Sequence, residues 1–173
     1  VANTLKWGIS KMKKEKKLII FALIVIIIGG GMALYNNYFH NIDSNRYLSS
    51  INEDKSIDYN GTHKSDKNSE SFDFKKFDGK WSLMQFTSNK GNKISINDDT
   101  KISEGKFYIV ILDSKYNIIA KKNELKDKGN INFTTPNDGK YSIRIIGANA
   151  SGNFAINVSA SNNIDISHKD FFD

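Results

Sequence analysis

Leu18–Leu34 (LIIFALIVIIIGGGMAL) runs for seventeen residues without one charged or strongly polar side chain. Ile and Val spread around its whole circumference, so a helix here has no polar face to turn toward water. At ~1.5 Å per helical residue the run extends roughly 25 Å, slightly short of a hydrocarbon core of about 30 Å. Tyr35, Tyr38 and Phe39 continue it with rings suited to a membrane–water interface. The expectation is one transmembrane helix over residues 18–35. A cleaved signal peptide stays open as the alternative, with Lys13–Lys17 as its basic region, Leu18–Ile28 as its apolar region and Gly31-Met32-Ala33 at the cleavage site.

Charge orients the segment. Residues 1–35 hold six Lys and one Glu, which leaves 19 basic and 18 acidic residues for the rest of the chain. Nearly all of the net +6 therefore lies before the apolar run. The basic tail, residues 1–17, is expected in the cytoplasm and the C-terminal bulk outside the cell membrane. Lys13, Lys14, Lys16 and Lys17 would hold anionic lipid, and Leu18, Leu34, Tyr35 and Tyr38 would mark the ends of the span. The outer part is close to neutral and has no basic stripe, so nucleic acid is not an expected partner despite a pI near 9.3.

Residues 36–71 read as a polar stalk. Ser56–Ser71 (SIDYNGTHKSDKNSES) has too little apolar content to order itself. From 72 to 161 the pattern changes to short alternating runs: Phe72–Phe77, Trp81–Thr87, Lys93–Asn97, Lys106–Asp113, Asn117–Lys121, Asn130–Thr135, Lys140–Ala148 and Asn153–Ala160. Between them lie Asp78-Gly79, Glu104-Gly105, Asn137-Asp138-Gly139, Ser151-Gly152 and similar pairs, which supply the positive φ of tight hairpins. About eight short antiparallel strands at this spacing predict an all-β ectodomain, a jelly-roll-like sandwich. Tyr141, Ile143 and Ile145 alternate with Ser142 and Arg144, which implies one wet face. Phe107–Leu112 (FYIVIL) is apolar on both sides and predicts a central strand. Residues 162–173 read as a tail in which Phe171-Phe172 either docks or frays. There are no cysteines, hence no disulfide and no thiolate metal site.

The runs Gly105–Asp113 (GKFYIVILD), Gly139–Gly147 (GKYSIRIIG) and Gly152–Ser159 (GNFAINVS) resemble the bacterial pre-peptidase C-terminal domain, where an Asp-bearing turn is followed by G-x-Y-x-I-x-I and G-x-F-x-I-x-V strands. The resemblance covers about a third of the chain. It implies a jelly-roll-like accessory module used for binding or secretion and not for catalysis. Unlike that family's usual setting, no enzyme domain is expected within residues 1–173, which include an apolar segment of their own.

No motif announces catalysis. There is no Gly-x-Ser-x-Gly elbow and no Gly-rich phosphate loop before a helix. His40, His63 and His168 stand apart in sequence without helical spacing, so no metal is expected on them. Asn97-Asp98-Asp99 together with Asp113 or Asp138 is an oxygen-rich set that could gather around calcium, but carboxylates of solvated turns are its ordinary explanation. The expected protein is a non-enzymatic, single-pass membrane protein without cofactor. Its outer module would bind a partner protein or a cell-wall component, as an accessory or sensory subunit. The alternative is a secreted β-sandwich that binds glycan or protein.

Overall fold

A computed structural model describes residues 16, 18–32 and 41–172. The chain divides into two units, Val1–Asn41 and Ile42–Asp173. In the first, residues 18–32 form helix α1. Its large apolar side chains are exposed all round, from Leu18 at 74% to Met32 at 67%. No described helix is long and apolar enough to cross a membrane. Lys16 and Leu18 are exposed on helical backbone. Lys13, Lys14, Lys17, Leu34, Tyr35 and Tyr38 lie outside the described residues.

The second unit is antiparallel sheet apart from one helical turn, α2 (Asn45–Leu48), which Ser44 caps by accepting from the Tyr47 amide. Its strands are β1 (Asp54–Tyr59), β2 (Lys64–Asp66), β3 (Ser69–Ser88), β4 (Lys93–Asp98), β5 (Lys101–Asp113), β6 (Ile118–Asn123), β7 (Ile131–Thr134), β8 (Gly139–Ala160) and β9 (Ile166–His168). The spine is a ribbon. β3 pairs with β8 from Ser69↔Asn157 to Ser88↔Gly139. Along the other side of β8 run β4 and then β5, from Ile94↔Ala160 to Asp113↔Tyr141. β7 extends the ribbon beyond β4, and β6 extends it beyond β5. β1, β2 and β9 line the outer edge of β3.

The all-β expectation holds, but the strands are fewer and longer in the middle of the domain. Phe72–Phe77 and Trp81–Thr87 are one strand, β3, and Lys140–Ala148 and Asn153–Ala160 are one strand, β8. Asp78-Gly79, Glu104-Gly105 and Ser151-Gly152 are therefore not hairpins. The first two sit at register shifts inside β3 and β5. A bulge and a hairpin ask for the same positive-φ glycine, so local sequence does not separate them. Gly79 (φ +104°) and Gly105 (φ +74°) meet a second demand, since a Cβ would lie 2.2 Å from the Asp54 carbonyl oxygen at one and 2.1 Å from that of Asn149 at the other. Such bulges let long strands bend, and both halves of the ribbon then share one core.

That core joins Phe72, Phe74, Phe154 and Ile156 with Phe107, Ile109, Ile143 and Ile145. The Phe74 and Phe107 rings stack at 5.7 Å. β5 is central, as its two-sided apolar run requires: Phe107, Ile109 and Ile111 enter this core, while Tyr108, Val110 and Leu112 form a second cluster with Ile42, Leu48 and Ile146.

One expected boundary is corrected. The folded unit starts at Ile42 and not near residue 72. Polar β1 and β2 are ordered because edge pairing with β3 satisfies their backbone, while Ile57 and Tyr59 pack on the core. Of the two alternatives for the C-terminal residues, docking is the one observed. β9 pairs with β3, and Phe171 is buried with its ring 5.0 Å from Phe72 and 5.5 Å from Phe77.

Gly105→Ala is expected to lower unfolding free energy by about 3 kcal/mol or more, from positive φ plus a backbone clash, whereas Gly91→Ala costs only about 1 kcal/mol. Gly91 has positive φ but open space around it. Urea titration of both variants checks the difference.

Candidate functional site: a strap, a buried arginine and the cleft beside them

Arg144 lies on β8 between Ile143 and Ile145, on the face that alternation assigns to water. It is fully buried. What covers it is the segment 42–53, which crosses the outer face of β5 and β8 as a strap. The Arg144 guanidinium donates through Nη1 to the Ser50 carbonyl at 2.7 Å and the Leu48 carbonyl at 3.3 Å. Nη2 donates to Glu53 Oε1 at 2.9 Å and Nε to Ser82 Oγ at 3.2 Å. A planar fork with several donors suits this mixture of carbonyls and carboxylate better than an ammonium would.

Glu53 is the other half of the joint. Oε1 also accepts from the Ser82 amide at 3.0 Å, and Oε2 accepts from Lys169 Nζ at 2.6 Å. Burial alone pushes the Glu53 carboxyl up. Hydrogen bonds from Lys169 and Ser82, with the charges of Arg144 and Lys169, outweigh that and hold it below the usual carboxylate range. One carboxylate thus ties the strap, β3, β8 and the C-terminal segment together. Nearby, Lys80 is buried, with its ammonium 4.1 Å from the Tyr47 ring centre and donating to the Tyr47 carbonyl and Ser50 Oγ. Burial, then the Arg144 charge, lowers its pKa.

The far end of the strap is fixed as well. Asp43 accepts from Lys106 Nζ and from the Tyr108 hydroxyl, both at 2.6 Å. Those two bonds lower the Asp43 pKa, while burial followed by the Asp43 contact pushes the Tyr108 phenol up to about 12.

Beside Glu53 opens a cleft of about 440 Å³. Its walls come from five places: Ile51 and Glu53 of the strap, Ser82 and Gln85 of β3, Asp113, Ser114 and Tyr116 of the β5–β6 turn, Lys140, Tyr141 and Ser142 of β8, and Lys169. Tyr116 sits at φ +62°, a conformation that costs a non-glycine residue about 1–2 kcal/mol. Asp113 holds the turn in that shape. Its Oδ1 accepts from the Lys115 amide at 2.8 Å and the Asn117 amide at 2.9 Å, and its carbonyl accepts from the Tyr116 amide at 3.0 Å. The result directs the Tyr116 ring toward Arg144, whose guanidinium carbon lies 5.4 Å from the ring centre. Lys169 extends over Trp81, 3.6 Å from its ring centre. The cleft thus combines two tyrosines, mixed charges and short hydroxyls on firmly held backbone. A second, more open hollow of about 420 Å³ lies over β4, β7 and β8, lined chiefly by Ser, Asn and Thr.

The other sequence candidates are dispersed. Asp98 is paired with Lys122, Asp113 is spent on its own turn, and Asp138 accepts from the Lys90 amide, so the oxygen-rich set does not converge. His63 and His168, far apart in sequence, do meet. Both contact the buried Glu70, His63 Nε2 at 2.6 Å from Oε1 and His168 Nδ1 against Oε2. These are hydrogen-bonding separations, and among the described residues no group of three or more His, Asp or Glu is placed to hold a metal. The contacts pin β9 to β2 and β3. Arg144, Glu53, Tyr116 and Lys169 were not legible as a site. The one available signal was that only two of 25 basic residues are Arg, and one of them stands among isoleucines.

Arg144→Met is expected to cost about 3–5 kcal/mol, because Glu53 and two strap carbonyls lose their buried partner. Limited proteolysis should then cut within 42–53 while the wild-type strap resists, and Arg144→Lys should restore only part of the stability.

No family model matches the chain, and no curated protein does. Among solved structures it is similar to a chain in the crystal structure of accessory secretory protein 1, 2 and 3 in Streptococcus pneumoniae, at 12% identity and a TM-score of 0.35, over 62% of this chain and 86% of that chain. A likeness this remote carries no argument about partner or activity.

Proposed function

We propose that this chain is a non-enzymatic, single-pass membrane protein whose jelly-roll-like β domain stands outside the cell and binds a partner protein or a cell-wall component, as an accessory or sensory subunit of a membrane complex. The observation that carries the binding role is the cleft beside Glu53, whose walls are fixed before any ligand arrives: a turn locked by Asp113, a strained Tyr116 and a strap nailed down by Arg144. Preformed walls reduce the ordering cost of association. The resemblance to pre-peptidase C-terminal modules points the same way.

The membrane role rests on the apolar run and its basic flank. A helix with Ile, Leu and Val exposed on every side, as over residues 18–32, is stable in lipid and not in water. In the second reading, favoured by the small residues Gly31-Met32-Ala33 after an apolar core, a signal peptidase removes this segment and the β domain is secreted.

Two measurements test the proposal. Alkaline carbonate washing should leave the protein in the membrane pellet; release, with a mature N-terminus at Leu34, establishes the secreted form instead. A photo-crosslinker at Ser114, on the cleft rim, should give a discrete adduct in intact cells, and one at Ser95 in the other hollow should not. Tyr116→Ala should lower the adduct yield about tenfold, equivalent to about 1.4 kcal/mol. Equal labelling from both positions contradicts a binding role for the cleft.

A further inference from the structure

Three charged side chains are buried together where β4 ends and β6 runs into the turn before β7. Lys122 Nζ lies 2.5 Å from Asp98 Oδ2 and 3.1 Å from Glu124 Oε2. The side chains of Asp98, Glu124 and Lys122 are 0%, 3% and 9% exposed. One cation thus faces two carboxylates in a space closed to water, and the count does not balance if both carboxylates are ionised. Asp98 is the better supported of the two. Its Oδ1 accepts from the Thr100 amide at 3.0 Å in addition to the lysine contact. Glu124 is the worse supported, since its Oε1 is buried and accepts no hydrogen bond. A buried carboxyl oxygen without a donor is the place where a proton is least costly to keep.

We propose that the Asp98–Lys122–Glu124 cluster is a proton-sensitive latch, which holds the β6–β7 turn against the β4–β5 corner while Glu124 is protonated and loosens that turn when the proton leaves for solvent. With the proton in place the cluster is neutral, and without it a net negative charge is buried. The 124–130 turn is the element free to yield, being exposed apart from Glu124. Its anchorage also reaches the strap: Asn123 Nδ2 donates to the Tyr108 hydroxyl at 2.9 Å, and that hydroxyl donates to Asp43. Loosening at Glu124 therefore acts on the fixed far end of the strap.

The titration falls in the useful range. Burial, then the hydrogen bond and charge of Asp98, push the Glu124 carboxyl up to about 7, against the opposing pull of Lys122. Burial raises Asp98 too, but its bonds to Lys122, Thr100 and Glu124 hold it low, and Lys122 is raised because both carboxylates outweigh its burial. The sign follows. A carboxyl raised in the folded state stabilises fully below its unfolded value near 4.5, and that stabilisation fades as pH rises toward 7. The latch is tight in mildly acidic surroundings and slack in alkaline ones.

The test uses the full chain. Carboxyl carbon NMR should place the Glu124 midpoint near 7, and a midpoint near 4.5 overturns the proposal. Hydrogen exchange of amides 124–130, corrected for the intrinsic pH dependence of exchange, should lose about tenfold protection between pH 6 and pH 8 in the wild type. Glu124→Gln should abolish that difference while keeping the turn protected at both values. An equal loss in the variant, or none in the wild type, also overturns it. If Glu124→Gln fails to fold, the wild-type midpoint decides alone.

Discussion

A guanidinium removed from water must find a partner for nearly every N–H, or the fold carries an uncompensated charge. Arg144 meets that demand only because residues 48–53 cross over it and present two carbonyls and the Glu53 carboxylate. The strap needs the arginine in turn, since its own carbonyls face a sheet whose backbone groups are already paired. This mutual dependence sets where the domain begins, covers the second face of β5 and positions Glu53 at the cleft. The hydrophobic cluster of Ile42, Leu48, Tyr108, Val110, Leu112 and Ile146 supplies area, while the arginine supplies register.

The same logic recurs at smaller scale. Glu70 collects His63 and His168, and so fastens the last strand to the first hairpin. Asp43 collects Lys106 and Tyr108. In each case a carboxylate, buried at Glu70 and exposed at Asp43, joins segments distant in sequence, in a chain that has no cysteine to do so covalently. The design leaves the ends of the domain sewn to its middle. At Asp98–Lys122–Glu124 two carboxylates face one cation, and Glu124 Oε1 has no hydrogen-bond partner.

How much of this the sequence discloses depends on range. Period-2 alternation in Tyr141–Ile145 identified a strand, and the unbroken apolar run Phe107–Leu112 identified the central position of β5, because both depend on neighbours one or two residues away. Gly79 and Gly105 were visible as positive-φ positions, yet whether the chain reverses there or only bends is decided by the partner strand. Polar composition misassigned 54–71, since an edge strand is ordered by its neighbour's backbone and needs few apolar side chains of its own. Arg144 was misread for a related reason. Its alternation places it on the second face of the sheet, and only the strap, about ninety residues earlier, turns that face into an interior. The cleft is assembled from five separate segments, so no local motif could report it.

The account stands on residues 42–53 lying over Arg144 as part of the folded domain. Methyl NOE spectroscopy on the full chain tests this most directly. Cross-peaks from the Leu48 methyls to those of Val110, Leu112 or Ile146, with a slowly exchanging Arg144 Hε, are the predicted result. Random-coil shifts for 42–53 and no such cross-peaks would contradict it, and with it the placement of the cleft.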